Sequence, residues 1–160
     1  LSSYPATAPT PPGLAFVAQI LVDVGSPIDF GQTSEGHRRV VPIIGGTVSG
    51  PRLQGTVLPM GADFQLLRST ETTELDARYG LELDDGSLIY VHNLALRYGL
   101  AADIAKLNKG EPVDPSLIYF RCMPRLMTSA SKWEWMNHTL FAGTGERLPS
   151  QVRINIFKVE

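Results

Sequence analysis

The chain has 160 residues, a formal charge of −2 and a single cysteine, Cys122. That is the length of one domain, long enough to bury a core without staples. The near-neutral charge offers no basic field for nucleic acid or an anionic membrane. No apolar run reaches the ~20 residues of a membrane helix, and one cysteine forms no internal disulfide. The lone thiol fits a reducing compartment, so a cytoplasmic location is expected. The chain starts at Leu1 rather than Met, which leaves a missing N-terminal segment, and with it secretion, open.

Residues 1–13, LSSYPATAPTPPG, are proline-rich and uncharged and read as a flexible arm ahead of one domain over 14–160. LAFVAQILVDV (14–24) reads as a buried strand ended by Gly25-Ser26-Pro27. PIDFGQTSEGHRR (27–39) reads as a loop. HRRVVPII (37–44) is a strand ending at Gly45-Gly46, with Pro42 marking an edge or a bulge. GTVSGPRLQGTVLP (46–59) is one bent strand or two short ones. ADFQLLRS (62–69) follows as a strand. TTELDARYGLEL (72–83) and SLIYVHNLALRYG (87–99) pair across the turn DDG (84–86). Leu100, Ile104 and Leu107 then share a helical face, and Gly110 stops it, which predicts one short helix. SLIYFRCMP (116–124) is a strand and SASKWEWMN (129–137) a turn or short helix. NHTLFAGTGERL (137–148) and QVRINIFKVE (151–160) close the chain as strands. Eight to ten strands, one short helix and no βαβ rhythm make an all-β domain, a sandwich or a closed barrel. The bending glycines favour a single antiparallel β-barrel.

Motifs for common chemistries are missing. Three scattered histidines (His37, His92, His138) and one cysteine offer no zinc spacing, so no metal and no cofactor are expected. GTGERL (143–148) lacks the strand–helix setting of a nucleotide loop. The informative feature is polar residues inside apolar strands. Asp63 lies in GADFQLL. In β-period, Asp76 and Arg78 share one face, Tyr90 and His92 another, and Arg97 follows in the same element. Tyr119 and Arg121 share a face in LIYFRC, and Asn137 opens NHTLFAG. The plain account of each is structural: a wet strand face, a turn-shaping aspartate, a hydrogen-bonded histidine, a rim tryptophan at Trp133 or Trp135. A closed barrel permits a second account, in which one parity faces a lumen.

RRVVPIIGGTVSGPRLQGTVLPMGADFQLL, ELDARYGLELDDGSLIYVHN and YFRCMP…WEWMNHTLFAGTGER together resemble the family catalogued as domain of unknown function 3237, over nearly all of 14–159. The resemblance implies a small antiparallel barrel with a central pocket, often self-associated, that acts on or binds compounds of aromatic and secondary metabolism. Matched position by position, it points to Asp63, Asp76, Arg78, Tyr79, Arg121 and Asn137. The chain departs from the pattern at Met60 and Ala95 (usually Gly), Phe64 (usually Trp) and Met127 (usually acidic). Met60 and Met127, if lumenal, would make a greasier pocket.

Two functions follow. One is a cofactor-independent enzyme for an aromatic or polycyclic small molecule, working by isomerisation, dehydration or cyclisation. Asp63 or Asp76 would be the acid–base group, and Arg78 and Arg121 would hold an anionic group. Tyr79, Tyr90, His92, Arg97, Tyr119, Trp135, Asn137, Met60 and Met127 would contact the substrate. The other is a lipocalin-like carrier, which needs the cavity and no reactive group. A homodimer is expected, through the segment around Pro42 or the N-terminal arm.

Overall fold

The computed structural model describes residues 5–160, so the first four residues of the arm lie outside the described residues. Ten strands form one antiparallel sheet: β1 (Leu14–Val24), β2 (Ile28–Thr33), β3 (Gly36–Ser49), β4 (Gln54–Val57), β5 (Ala62–Leu67), β6 (Thr72–Leu83), β7 (Leu88–Tyr98), β8 (Tyr119–Met127), β9 (Phe141–Arg147) and β10 (Gln151–Val159). Neighbours run β1–β10–β9–β8–β7–β6. From β6 the sheet passes through β5 and β4 to β3, and β3 pairs with β1. That last pairing closes an eight-stranded barrel of β1, β3 and β5–β10, with β2 added on β3 and the short β4 bridging β3 and β6. Closure removes the open edges that a sheet of this size would otherwise expose.

The segment 27–39 departs from the expected loop. Ile28–Thr33 is a strand paired with Gly36–Val40, in a hairpin whose turn residues are Ser34 and Glu35. Nor does β3 stop at Gly45-Gly46. It runs through both, with φ of 153° and 141°. A side chain on Gly46 would place its Cβ 2.1 Å from the Leu21 carbonyl oxygen. Glycine therefore lets β3 coil away from its partners β2 and β5 and onto β1. Pro42 occupies this changeover. Its carbonyl accepts the Gly25 N–H at 2.9 Å, and its missing donor falls where β3 exchanges partners.

The one α-helix among the described residues, α1 (Ala101–Asn108), buries Ile104 and Leu107, as the spacing predicts. Ser131–His138 is a 3-10 segment that buries Trp133 and Met136. The two lie toward opposite ends of the barrel. Leu107 of α1 reaches the lumen near the end of β7, where the Arg97 guanidinium donates to Asn108 Oδ1 at 3.0 Å. The 3-10 segment sits over the β6–β7 turn, where the Trp133 indole N–H donates to Asp85 at 3.0 Å. The core is densest at this second end: Leu53, Val57, Leu81, Leu83, Ile89 and Met136 are all buried. None of the helices among the described residues is long and apolar enough to cross a membrane.

Candidate functional site

The strand alternation decides which side chains meet inside. On β6, Thr73, Leu75, Tyr79, Leu81 and Leu83 are buried, so odd positions point inward and even positions outward. On β7 the inward set is Ile89, Val91, Asn93, Ala95 and Arg97. On β8 it is Phe120, Cys122, Pro124 and Leu126. The inward parity is polar only toward the α1 end. There Arg39, Asp63, Gln65, Asn93, Arg97 and Arg147 face a cavity of about 60 Å³. Its apolar walls include Val22, Val41, Ile43 and Ile154, and Tyr79 forms the boundary with the packed end.

Small side chains make the space. Ala77 and Ala95 occupy inward positions that hold leucine or valine elsewhere on the same strands. Gly145 does the same for β9: a Cβ there would lie 2.4 Å from the Phe120 ring, which packs flat over it as part of the cavity wall. Ala77 and Ala95 keep part of their residue surface accessible, and Ala95 also borders a groove on the outer face of the barrel.

Asp63 is held from two sides. Its Oδ1 accepts the Asp76 backbone N–H at 3.0 Å, and its Oδ2 accepts from Gln65 Nε2 at 2.9 Å. Among the described residues, no ion pair within 4.0 Å joins Asp63 to an arginine. Burial raises the Asp63 carboxyl above the ordinary carboxylate range, against the Gln65 hydrogen bond and the positive charge of Arg97. Arg97 is 3% exposed. Burial lowers it to about 10, with Arg39 and Arg147 pushing the same way and Asp63 opposing. It stays cationic at neutral pH. Burial also lowers Arg39 and Arg147 and raises the Tyr79 hydroxyl. Several polar atoms here have no protein partner: Gln65 Oε1, Tyr79 OH, Asn93 Oδ1, Arg97 Nε and Arg147 Nη1. Cys122 is buried, and its thiol is pushed up to about 11, which keeps it protonated and inert.

Of the residues expected to form the site, Asp63, Tyr79 and Arg97 meet in this lumen. The others lie elsewhere. Asp76 and Arg78 occupy the outward parity of β6, as a half-exposed ion pair of 3.4 Å, with His92 Nε2 2.9 Å from Asp76 Oδ1. The apolar positions between them fill the interior, so the charged face takes the outside. Arg121 and Tyr119 lie outward on β8, with the guanidinium 5.3 Å from the Tyr119 ring centroid. Tyr90 and Met127 face each other across β7 and β8, also outward. Met60 is exposed in the β4–β5 connection. Neither methionine greases the lumen. Trp135 and Asn137 belong to the 3-10 segment at the far end. Trp135 packs against Phe141 with centroids 6.0 Å apart, and Asn137 clamps the Thr128 backbone through two hydrogen bonds of 2.9 Å.

Arg39, Gln65, Asn93 and Arg147 escaped the sequence reading. Three of them share their strand's parity with buried neighbours: Arg39 with Val41 and Ile43, Asn93 with Ile89 and Val91, and Arg147 with Phe141 and Gly143; Gln65 does not, because Ala62 and Leu66, the buried apolar residues of β5, have the other parity. A polar residue in step with the core is the one that faces a lumen.

A model for the family described as "Protein of unknown function (DUF3237)" matches residues 12–159. The chain belongs to the DUF3237 family. A UPF0311 protein of Rhodopseudomonas palustris is 42% identical over 144 residues, covering 90% of this chain and 94% of that one. A crystal structure of a conserved protein of unknown function from the same organism is 40% identical, with a TM-score of 0.90 over 96% of this chain and 100% of that one. A crystal structure from Acinetobacter baumannii, described as a beta-barrel like protein, is 37% identical, with a TM-score of 0.83 over 96% of this chain and 99% of that one. The fold extends to an enzyme from Penicillium herquei, 21% identical, with a TM-score of 0.71 over 97% and 99%.

Proposed function

We propose that this DUF3237 chain is a cofactor-independent enzyme of small-molecule metabolism, with Asp63 as its acid–base group in the polar end of the lumen. The observation that carries the reading is a single inward carboxylate on the cavity wall, desolvated and lying near three arginines without touching them. A raised carboxyl pKa makes Asp63 a stronger base when ionised and lets it hold the proton it takes. Arg39, Arg97 and Arg147 supply fixed positive charge where an enolate or phenolate would develop. Gln65 suits both protonation states. Its Nε2 donates to the ionised carboxylate, and turning its amide brings the unpartnered Oε1 to accept from the acid.

The chemistry needs only a proton that leaves one atom and returns to another. Asp63 takes a proton from carbon or hydroxyl, and an enolate or alkoxide forms. The proton then returns at a different carbon (isomerisation), leaves with a hydroxide as water (dehydration), or quenches the carbanion formed when an internal oxygen adds to an activated double bond (cyclisation). The barrel fold also occurs in the Penicillium herquei enzyme, so the scaffold is compatible with catalysis.

The test is hydrogen exchange. The protein is incubated in D2O with a panel of small keto acids and short aliphatic ketones, and deuterium incorporation is read by mass spectrometry. Wild type should accelerate exchange into at least one compound, and Asp63→Asn should not. Compounds that bind and return unlabelled would favour the carrier, which needs the same lumen and no base.

The homodimer remains a proposal as well, and the outer face of β6–β8 suits it better than Pro42 or the arm. Leu94, Leu96 and Met123 are exposed there, and Glu74, Leu96 and Arg121 share one lateral row. A two-fold axis along β7 sets each Glu74 against the partner's Arg121. Sedimentation should find a dimer that Leu96→Asp converts to monomer; a wild-type monomer would reject it.

A further inference from the structure

The charges at the polar end do not balance. Three inward arginines face one inward aspartate, a surplus of two positive charges inside a lumen with valine and isoleucine walls. Arg97 and Arg39 are 3% and 8% exposed, so neither spends its charge in bulk water. Arg97 is steered rather than neutralised. Its only side-chain partner among the described residues is the uncharged Asn108 of α1, which takes one guanidinium N–H and leaves Nε aimed elsewhere. Arg147 likewise has Nη1 without a protein partner. Unpaired buried charge of this kind costs stability and is kept where a counter-charge arrives.

We propose that the polar end of the lumen binds the carboxylate of a small organic acid on Arg97 and Arg147, with a hydroxyl group of the same ligand set against Asn93 and Gln65. The fork of N–H donors on a guanidinium matches the two oxygens of a carboxylate. The orphan acceptors decide the rest of the ligand. Asn93 Oδ1 and Gln65 Oε1 are buried carbonyl oxygens with no donor from the protein, and a ligand hydroxyl donates where an ether or a second carboxylate cannot. The cavity of about 60 Å³ is well below the ~150 Å³ that takes a benzene ring, so it admits a carboxylate headgroup with a body of one or two carbons, far smaller than the polycyclic compounds expected from the resemblance. The ligand class is therefore a hydroxy-carboxylate, with the carboxylate inward beneath α1 and the body along Val41, Ala77 and Ile154.

This inference rests on the lumen being the small-molecule site, but it does not need Asp63 to move a proton. Asp63 enters with the opposite sign: its negative charge opposes a bound anion. Removing that charge should strengthen binding of the acid while it abolishes exchange chemistry.

The experiment is calorimetric titration of the full chain with glycolate, acetate and acetamide at constant ionic strength, on wild type, Arg97→Met, Arg147→Met and Asp63→Asn. Glycolate should bind several-fold more tightly than acetate, and acetamide at least tenfold more weakly than acetate. Arg97→Met and Arg147→Met should each lose at least tenfold for acetate and little for acetamide. Asp63→Asn should gain a few-fold. Thermal melts of the unliganded variants separate lost binding from lost folding, and Arg97→Lys, which keeps the charge without the fork, should recover only part of the affinity. Equal binding of acetate and acetamide, or acetate affinity unchanged in both arginine variants, would overturn the proposal. Anion binding in a protein whose Asp63→Asn variant exchanges deuterium as fast as wild type would leave this inference standing and remove the acid–base role.

Discussion

The two ends of the barrel lumen are built from the same strands to different purposes. At the 3-10 end, successive inward positions of β6 and β7 are Tyr79, Leu81, Leu83, Ile89 and Val91, all buried and packed onto Trp133 and Met136. A few residues along, the inward positions become Leu75, Ala77, Asn93, Ala95 and Arg97, and the packing opens into a charged cavity. One end is where the fold gains its stability. The other gives up apolar contact, buries cations, and keeps polar atoms without protein partners. Natural proteins carry such locally unfavourable arrangements at functional sites and compensate for them elsewhere. The location of the cost is thus itself an argument for where the function is.

The contrast can be broken by substitution. The largest effects belong to the packed end. Leu81→Ala should lose about 2–5 kcal/mol, and Trp133→Ala about 3–5 kcal/mol, measured by urea unfolding, because neither void can collapse within a closed barrel. Next comes Asp63→Asn, which should lower exchange turnover by about 100-fold or more while leaving the protein folded. It also sharpens the comparison through pH. Well below the ordinary aspartate value, both the folded and the unfolded chain carry the Asp63 proton, and the residue contributes no pH dependence. As pH rises, the unfolded chain releases it first, because the folded value is raised, so stability falls until the folded carboxyl ionises too. The Asp63→Asn variant lacks that fall. Its melting temperature relative to wild type should rise across this window and then level off. An advantage that shrinks with pH would mean that the folded value is lowered instead.

Arg97→Met should cost less than about 1 kcal/mol and can raise the melting temperature, since a buried cation is replaced by apolar volume. A loss as large as that of Leu81→Ala would mean that Arg97 is structural and the two ends are alike. The smallest effect is outside. Asp76→Asn or Arg78→Ala, each breaking a half-exposed pair of 3.4 Å, should change stability by about 0.5 kcal/mol or less and leave exchange turnover unchanged.

Much of the barrel was legible in the chain: period-two runs, the DDG turn, the short helix that buries Ile104 and Leu107, and glycines that bend strands; Leu100, expected on the same helical face, is instead the exposed N-cap. The β2 strand was not, because IDFGQTSEG has neither alternation nor an apolar run and becomes a strand by pairing with β3. Gly45-Gly46 reads locally as a stop, and only closure of β3 onto β1 makes it a coil. The site was legible in part. Asp63 stands in step with Gln65, and Arg97 with Ile89 and Val91, on the face that fills the barrel. Asp76, Arg78, Tyr90, His92, Tyr119 and Arg121 drew notice because they are polar, yet each is out of step with its strand's buried residues. Alternation gives two faces and no direction. The direction comes from the need to bury Leu75, Tyr79 and Leu81 when nothing covers the barrel from outside. Arg39, Arg97 and Arg147 sit far apart in the chain, and their convergence with Asp63 depends on strand stagger around the closed sheet.

The most direct measurement is a crystal structure of the full chain grown with the acid that binds best in calorimetry. The account predicts density inside the barrel, its carboxylate on Arg97 and Arg147 and its body within reach of Asp63. Density instead in the open groove of about 900 Å³ on the outer face, among Phe64, Leu94, Tyr119 and Met123, with the lumen unchanged, would contradict it.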